Sequence, residues 1–180
     1  MFTTVLPQYH ASHKAFVDPF ISFIKDDPRL RQCFRGHKKA TFILTQDEAK
    51  GIYGGALLVK ERMDVVRRNL GKGMAYFIPK TGEIWTCTVY IQAKINDYIL
   101  QYDSLCASFY RQLYGKLIEF GMKEGTTYLW MILLPVEYLS TEHLGFWPYV
   151  FQVRPQDSLD GLFHGILSLT INPSKLHQKI

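Results

Sequence analysis

Leu105, Phe109, Leu113 and Leu117 recur four residues apart, and Phe120 joins them on one helical face. This is the stripe of an amphipathic helix. Asp103 stands where its N-cap belongs, and Gly125 where a helix ends. The next stretch, residues 126–134 (TTYLWMILL), is almost continuously apolar, as a strand buried on both faces would be. Residues 83–92 (EIWTCTVYIQ) alternate and are rich in β-branched and aromatic side chains, which predicts another strand. Residues 41–45 and 52–59 read as a hairpin around a turn at 47–51, and residues 76–78 as a short strand stopped by Pro79. Residues 136–144 read as a short helix closed by Gly145. A terminal hairpin follows, 146–153 and 165–171, around the polar turn 155–161. The first thirty-five residues read as helical, with Asp18 as N-cap, Pro19 at the first helical position, and Phe20, Phe23 and Ile24 as a short apolar stripe.

The order is helices, hairpin, strand, an irregular link over 93–102, long helix, buried strand, short helix, hairpin. It predicts one α/β (α+β) domain over 1–180, with a helical part at 1–40 and a sheet core at 41–171. Composition supports a packed core: 47% of residues are apolar and 14% aromatic, against 21% charged. No apolar run approaches the roughly 20 residues of a membrane span. Cys33, Cys87 and Cys106 show no CxxC spacing, so neither a disulfide framework nor a zinc site is expected, and a reducing cytoplasm fits.

Charge is uneven. Residues 1–80 hold 14 Lys/Arg against 7 Asp/Glu, a net +7, and residues 81–180 hold 7 against 9. The densest cluster is Arg29, Arg31, Arg35, His37, Lys38 and Lys39. It reads as a solvated face; the alternative is a basic adaptor surface for an acidic partner or nucleic acid. No nucleic-acid-binding module is recognisable, so specific nucleic-acid recognition is not expected. His10 and His13 share a helical face, but no third ligand stands out and no metal is expected.

From the second strand onward the chain resembles the Gcn5-related N-acyltransferases. The resemblance is carried by LYGKLIEFGMKEGTTYLWMILL, with Gly121 and Gly125 at small-residue and turn positions, and by Leu144-Gly145-Phe146 before the last hairpin. It covers about residues 41–171 and implies a mixed, mostly antiparallel central sheet flanked by helices. The layout is also similar to that of acyl-homoserine-lactone (autoinducer) synthases, which have a longer link between central strand and helix. Glu83-Ile84-Trp85-Thr86 is similar to their central-strand segment, but Thr86 and Leu57 stand where arginines belong.

The resemblance implies transfer of an acyl group from a thioester of CoA or of acyl carrier protein to an amine acceptor, without a metal. Backbone amides of the central strand, at Val89, Tyr90 and Ile91, would hold the thioester. The pyrophosphate loop at the start of the long helix would fall on Ser108, Phe109, Tyr110 and Arg111, with Ser108 and Tyr110 in place of the family's glycines. Residues 112–117 are a second candidate. Residues 68–73 (RNLGKG) match the family's phosphate motif literally, but only five residues separate Gly73 from Pro79, too few for the helix such a loop needs. Glu83 is the candidate base. Thr141 occupies the family's tyrosine position, which leaves Tyr138, one turn earlier, as the candidate acid. The competing expectation is a non-catalytic binding module of the same fold.

Overall fold

The computed structural model describes residues 2–7, 14–28, 30, 39–47, 51–75, 78–91, 103–144 and 147–170. The elements run β1 (Phe2–Pro7), α1 (Lys14–Asp26), β2 (Thr41–Asp47), β3 (Gly51–Arg62), α2 (Met63–Arg67), α3 (Lys72–Ala75), β4 (Glu83–Ile91), α4 (Asp103–Glu124), β5 (Tyr128–Leu133), α5 (Pro135–Leu144), β6 (Tyr149–Val153) and β7 (Phe163–Ser168). The seven strands form one sheet in the order β1-β2-β3-β4-β5-β7-β6. Every neighbouring pair is antiparallel except β4–β5. This is the mixed, mostly antiparallel architecture expected from the sequence.

Strand alternation divides the buried side chains between two layers. On one face Cys87, Val89 and Ile91 of β4 pack with Phe109, Leu113 and Leu117 of α4. On the other, Trp130 and Ile132 of β5 pack in the layer that holds Val17, Phe20 and Ile24 of α1. Helix α4 ends as its sequence predicts. Gly125 has φ +66° and Thr126 N–H donates to Gly121 O at 2.9 Å, the long bond of a Schellman cap.

Five expectations change. Phe2–Pro7 is a strand on the sheet edge, not helix: Thr3, Thr4 and Val5 suit an extended chain, and the Thr3 hydroxyl meets that of Thr45 at 3.1 Å. Helix α1 starts at Lys14 and carries Pro19 in its interior. Its stripe begins one turn earlier than expected, with buried Val17 joining Phe20, Ile21 and Ile24 at helical spacing. Residues 63–75 fold into the short helices α2 and α3 instead of a plain loop, because Met63, Val66 and Leu70 all reach the α1-side core. The strand expected at 76–78 shows only Ile78, which is buried and outside any strand; Tyr76 and Phe77 lie outside the described residues. Strand β7 starts at Phe163, two residues before the expected hairpin arm.

Candidate functional site

The sheet opens at its one parallel pair. The β4–β5 ladder consists of Thr86↔Trp130, Cys87↔Met131 and Thr88↔Ile132. Strand β4 continues through Val89, Tyr90 and Ile91, which keep register with Ala56, Gly55 and Gly54 of β3 but lie outside the ladder with β5. The β5-facing edge of this segment therefore points into the gap between two strands at their carboxyl ends. Open sheets place their ligands at such points. Two glycines hold the segment. A Cβ on Gly54 would come within 2.5 Å of Tyr90 O and 2.9 Å of Ile91 Cα, and one on Gly55 would collide with Ile43 O. Backbone packs directly on backbone behind the gap.

The chain returns from β4 to the start of α4, which begins at Asp103. The free amides of a helix belong to its first turn, here residues 103–106. Ser108, Phe109, Tyr110 and Arg111 are one turn further on, with their amides inside the helix. The loop expected at Ser108–Arg111 therefore falls inside α4, about one turn beyond its start. Phe109 and Tyr110 are fully buried, and Tyr110 packs edge-on against Trp147 at 5.7 Å. The Ser108 hydroxyl accepts from Gln112 Nε2 at 3.2 Å, and Arg111 is exposed. Counting back from Gly125 overshot a start that the cap at Asp103 already marked.

On the α4 face of the sheet Tyr138 and Tyr149 pack around Phe163. Tyr138 of α5 stacks on Phe163 at 4.4 Å and donates its hydroxyl hydrogen to Glu142 Oε1 at 2.6 Å. Burial raises its pKa, the Glu142 carboxylate raises it further, and Arg154 pulls the other way. Tyr149 of β6 packs against Phe163 at 4.9 Å, and its hydroxyl lies 3.2 Å from Thr141 Oγ1. Burial pushes the Tyr149 phenol far up; the bond to Thr141 opposes this, while Cys87 and Tyr138 nearby add to it. Burial likewise pushes the Cys87 thiol far up, so it stays a packed, protonated thiol. The sequence reading missed Tyr149, which packs against the α4-side core while Phe151 packs against the other, across a register shift in β6.

On the opposite face, burial raises the Tyr90 phenol, and the negative charges of Glu137, Asp27 and Asp26 raise it further. Glu137 is buried in the first turn of α5. Negative charge thus gathers behind the gap on the α1 side.

Glu83 does not belong to this group. It opens β4, six residues before Val89, which at ~3.3 Å per residue puts it roughly 20 Å from the opening. It is exposed and pairs with Lys60 at 3.3 Å. The literal RNLGKG motif also lacks the structure a phosphate needs: α3 has four residues, and Gly71 lies near Asp157 O. Of the basic cluster only Lys39 is described, and it is exposed; His10 and His13 lie outside the described residues. Among the described residues no group of three or more His, Cys, Asp or Glu side chains is placed to hold a metal, and no helix is long and apolar enough to cross a membrane.

Neither a family model nor a curated protein sequence matches the chain. Solved structures do. TofI, in a ternary complex with an inhibitor and MTA, aligns with a TM-score of 0.57 at 12% identity, over 94% of this chain and 92% of TofI. TofI in an apo form aligns at 0.50 and 12% identity, over 97% and 99%. A GNAT-family acetyltransferase of Staphylococcus aureus Mu50 aligns at 0.45 and 12% identity, over 94% and 100%. With the strand order, the parallel pair and the helix that follows it, the TofI alignments show that the chain shares the fold of TofI.

Proposed function

We propose that the chain is an acyltransferase that takes an acyl thioester, of CoA or of acyl carrier protein, and passes the acyl group to an amine. The observation that supports this most directly is the early end of the β4–β5 ladder. Val89, Tyr90 and Ile91 continue past it with a backbone edge turned toward the gap. An extended thioester arm fits such an edge as an added strand, and a strand amide aimed at the thioester carbonyl would stabilise the oxyanion of attack. The start of α4 lies at the far end of the 92–102 link, and its free amides at 103–106 suit a pyrophosphate. The negative surroundings of Tyr90 suit a cationic amine approaching from the α1 side. Glu83 has no part in this scheme. The cytoplasmic setting inferred from the cysteines belongs to the same proposal.

The second reading, a non-catalytic module of the same fold, draws on Tyr110. Its ring fills the space between α4 and Trp147 where the family's small residue would leave room. Thermal unfolding with acetyl-CoA, octanoyl-CoA and an acyl carrier protein thioester separates the readings in part. A donor present at a hundred times its Kd adds about 2.7 kcal/mol to stability. A raised Tm with at least one donor, together with release of free thiol in the presence of an amine, is expected. A raised Tm without thiol release favours the non-catalytic module, and no shift with any donor refutes thioester binding.

A further inference from the structure

The two sides of the gap differ in chemistry. Alternation along β4 turns Thr88 and Tyr90 to the α1 face, and the charges of Glu137, Asp27 and Asp26 act on the Tyr90 phenol there. Polar and negative surroundings offer nothing to an aliphatic chain. The same alternation turns Val89 and Ile91 to the α4 face, where both are buried in an apolar layer. An acyl group longer than the gap itself has only that face to extend into.

That face is filled at the level of the gap. The height of α4 over the sheet follows from its far end. A Cβ on Gly121 would collide with Thr126 O and Leu169, so Gly121 lies level with the residues just before β5. Phe109 is twelve residues back along the helix, ~18 Å at ~1.5 Å per residue. Ile132 is six residues on from Thr126, ~20 Å along an extended chain. Phe109 therefore stands beside Ile132, whose pairing with Thr88 is the last before the strands part. Tyr114 agrees with this spacing, because its hydroxyl reaches Ser168 O, level with Tyr128 at the other end of β5. From the β7 side, Phe163 pairs in register with Leu133 and stacks on Tyr138 at 4.4 Å. Phe109, Val89, Leu133 and Phe163 are fully buried, Ile91 is 1% exposed and Tyr138 4%. Behind Phe109 stands Tyr110, edge-on at 5.1 Å and itself held by Trp147 at 5.7 Å, which leaves the Phe109 ring little room to swing aside.

Resting on the acyltransferase reading above, we propose that the donor carries a short acyl group, acetyl or propionyl, and that Phe109 is the specificity-determining residue that sets this limit. Its ring closes the α4 face where the strands part. A longer chain meets packed rings there, and each methylene forced among them costs binding.

The test measures Kd by isothermal titration for free CoA and for acetyl-, butyryl-, hexanoyl- and octanoyl-CoA. Wild type is compared with Phe109→Ala, Phe109→Leu and Phe42→Leu, the last a truncation of an equally buried ring in the α1-side core. Wild type should bind acetyl-CoA at least about a hundredfold more tightly than octanoyl-CoA. Phe109→Ala, which opens space under the gap, should bring octanoyl-CoA to within about tenfold of acetyl-CoA while moving the acetyl-CoA value by less than about threefold. Phe109→Leu should relax the preference by about tenfold, and carries the test where Phe109→Ala fails to fold. Wild type that binds octanoyl-CoA as tightly as acetyl-CoA overturns the proposal and leaves the acyltransferase reading standing. So does a folded Phe109 variant that keeps the wild-type preference, or Phe42→Leu relaxing it as far as Phe109→Leu does. Wild type that binds none of these ligands overturns that reading, and the proposal with it.

Discussion

Asp160→Ala should lower stability by about 2–4 kcal/mol at neutral pH, a magnitude set by two donors that the carboxylate alone satisfies. Both oxygens of Asp160 lie 3.0 Å from His164 Nε2, and Leu162 N–H donates to Oδ1 at 3.1 Å. The His164 side chain is 1% exposed and that of Asp160 10%, so water screens little of this. Trp130 Nε1–H donates to His164 Nδ1 at 3.2 Å, which fixes the ring's proton on Nε2, facing Asp160. Alanine would leave that N–H and the Leu162 amide buried without an acceptor, each costing about 1–3 kcal/mol less whatever water can enter the space.

The pH dependence gives the sharper check. Burial alone would raise the Asp160 carboxyl, but the hydrogen bond and charge of His164, the Leu162 amide and Ser158 outweigh it and hold the group below the usual aspartate range. A depressed folded value means that the stabilisation is complete above the unfolded value, about 4, and is lost as pH falls through the folded one. Urea unfolding followed by tryptophan fluorescence and circular dichroism should show the gap between wild type and variant widest near pH 7 and narrowing in acid. A gap under about 0.5 kcal/mol at pH 7, within the range of an ordinary surface change, would refute the reasoning. A gap equally wide at neutral pH and in strong acid would refute it too, since it would mean that packing and not the carboxylate holds β5 to β7.

Gly54→Ala forces a Cβ into the Tyr90 carbonyl, backbone against backbone. It should destabilise by about 1–3 kcal/mol and also weaken the thermal shift with acyl-CoA, because the displaced strand is the one that borders the gap. A variant that loses stability but keeps full donor binding would separate that strand from the site. Glu83→Gln removes an ion pair whose side chains are more than half exposed, and should change stability by less than about 1 kcal/mol in urea titrations. A larger loss would mean that Lys60–Glu83 anchors the start of β4 more firmly than its exposure allows.

Elements whose signal is local were legible in the sequence. The stripe from Phe109 to Phe120 specifies α4, the alternation of 83–91 specifies β4, and the apolar run of 128–133 specifies β5. Features set by distant partners were not. Phe2–Pro7 becomes a strand because β2 offers it an edge forty residues away. The Tyr149–Thr141 pair depends on the register of β6, which shifts between Tyr149 and Phe151 where it meets β7. A shift of one residue turns side chains to the other face, and no local pattern announces it. The helix start was legible too, since Asp103 was read as its cap and α4 begins there.

The place of the opening follows from connectivity more than from any single residue. Parallel neighbours need a crossover, and here the crossover is the link and α4 between β4 and β5. Such a connection returns the start of its helix toward the carboxyl end of the first strand, so the free helix amides and the end of β4 face the same region. The antiparallel partners β3 and β7 then hold the two strands from outside, through Gly54 and Gly55 on one side and the six-pair β5–β7 ladder on the other. The two strands can separate at one end without loosening either half. An acyl donor site at this position needs only that the gap remain open and that a proton donor reach it. The fold supplies the first through the two outer ladders.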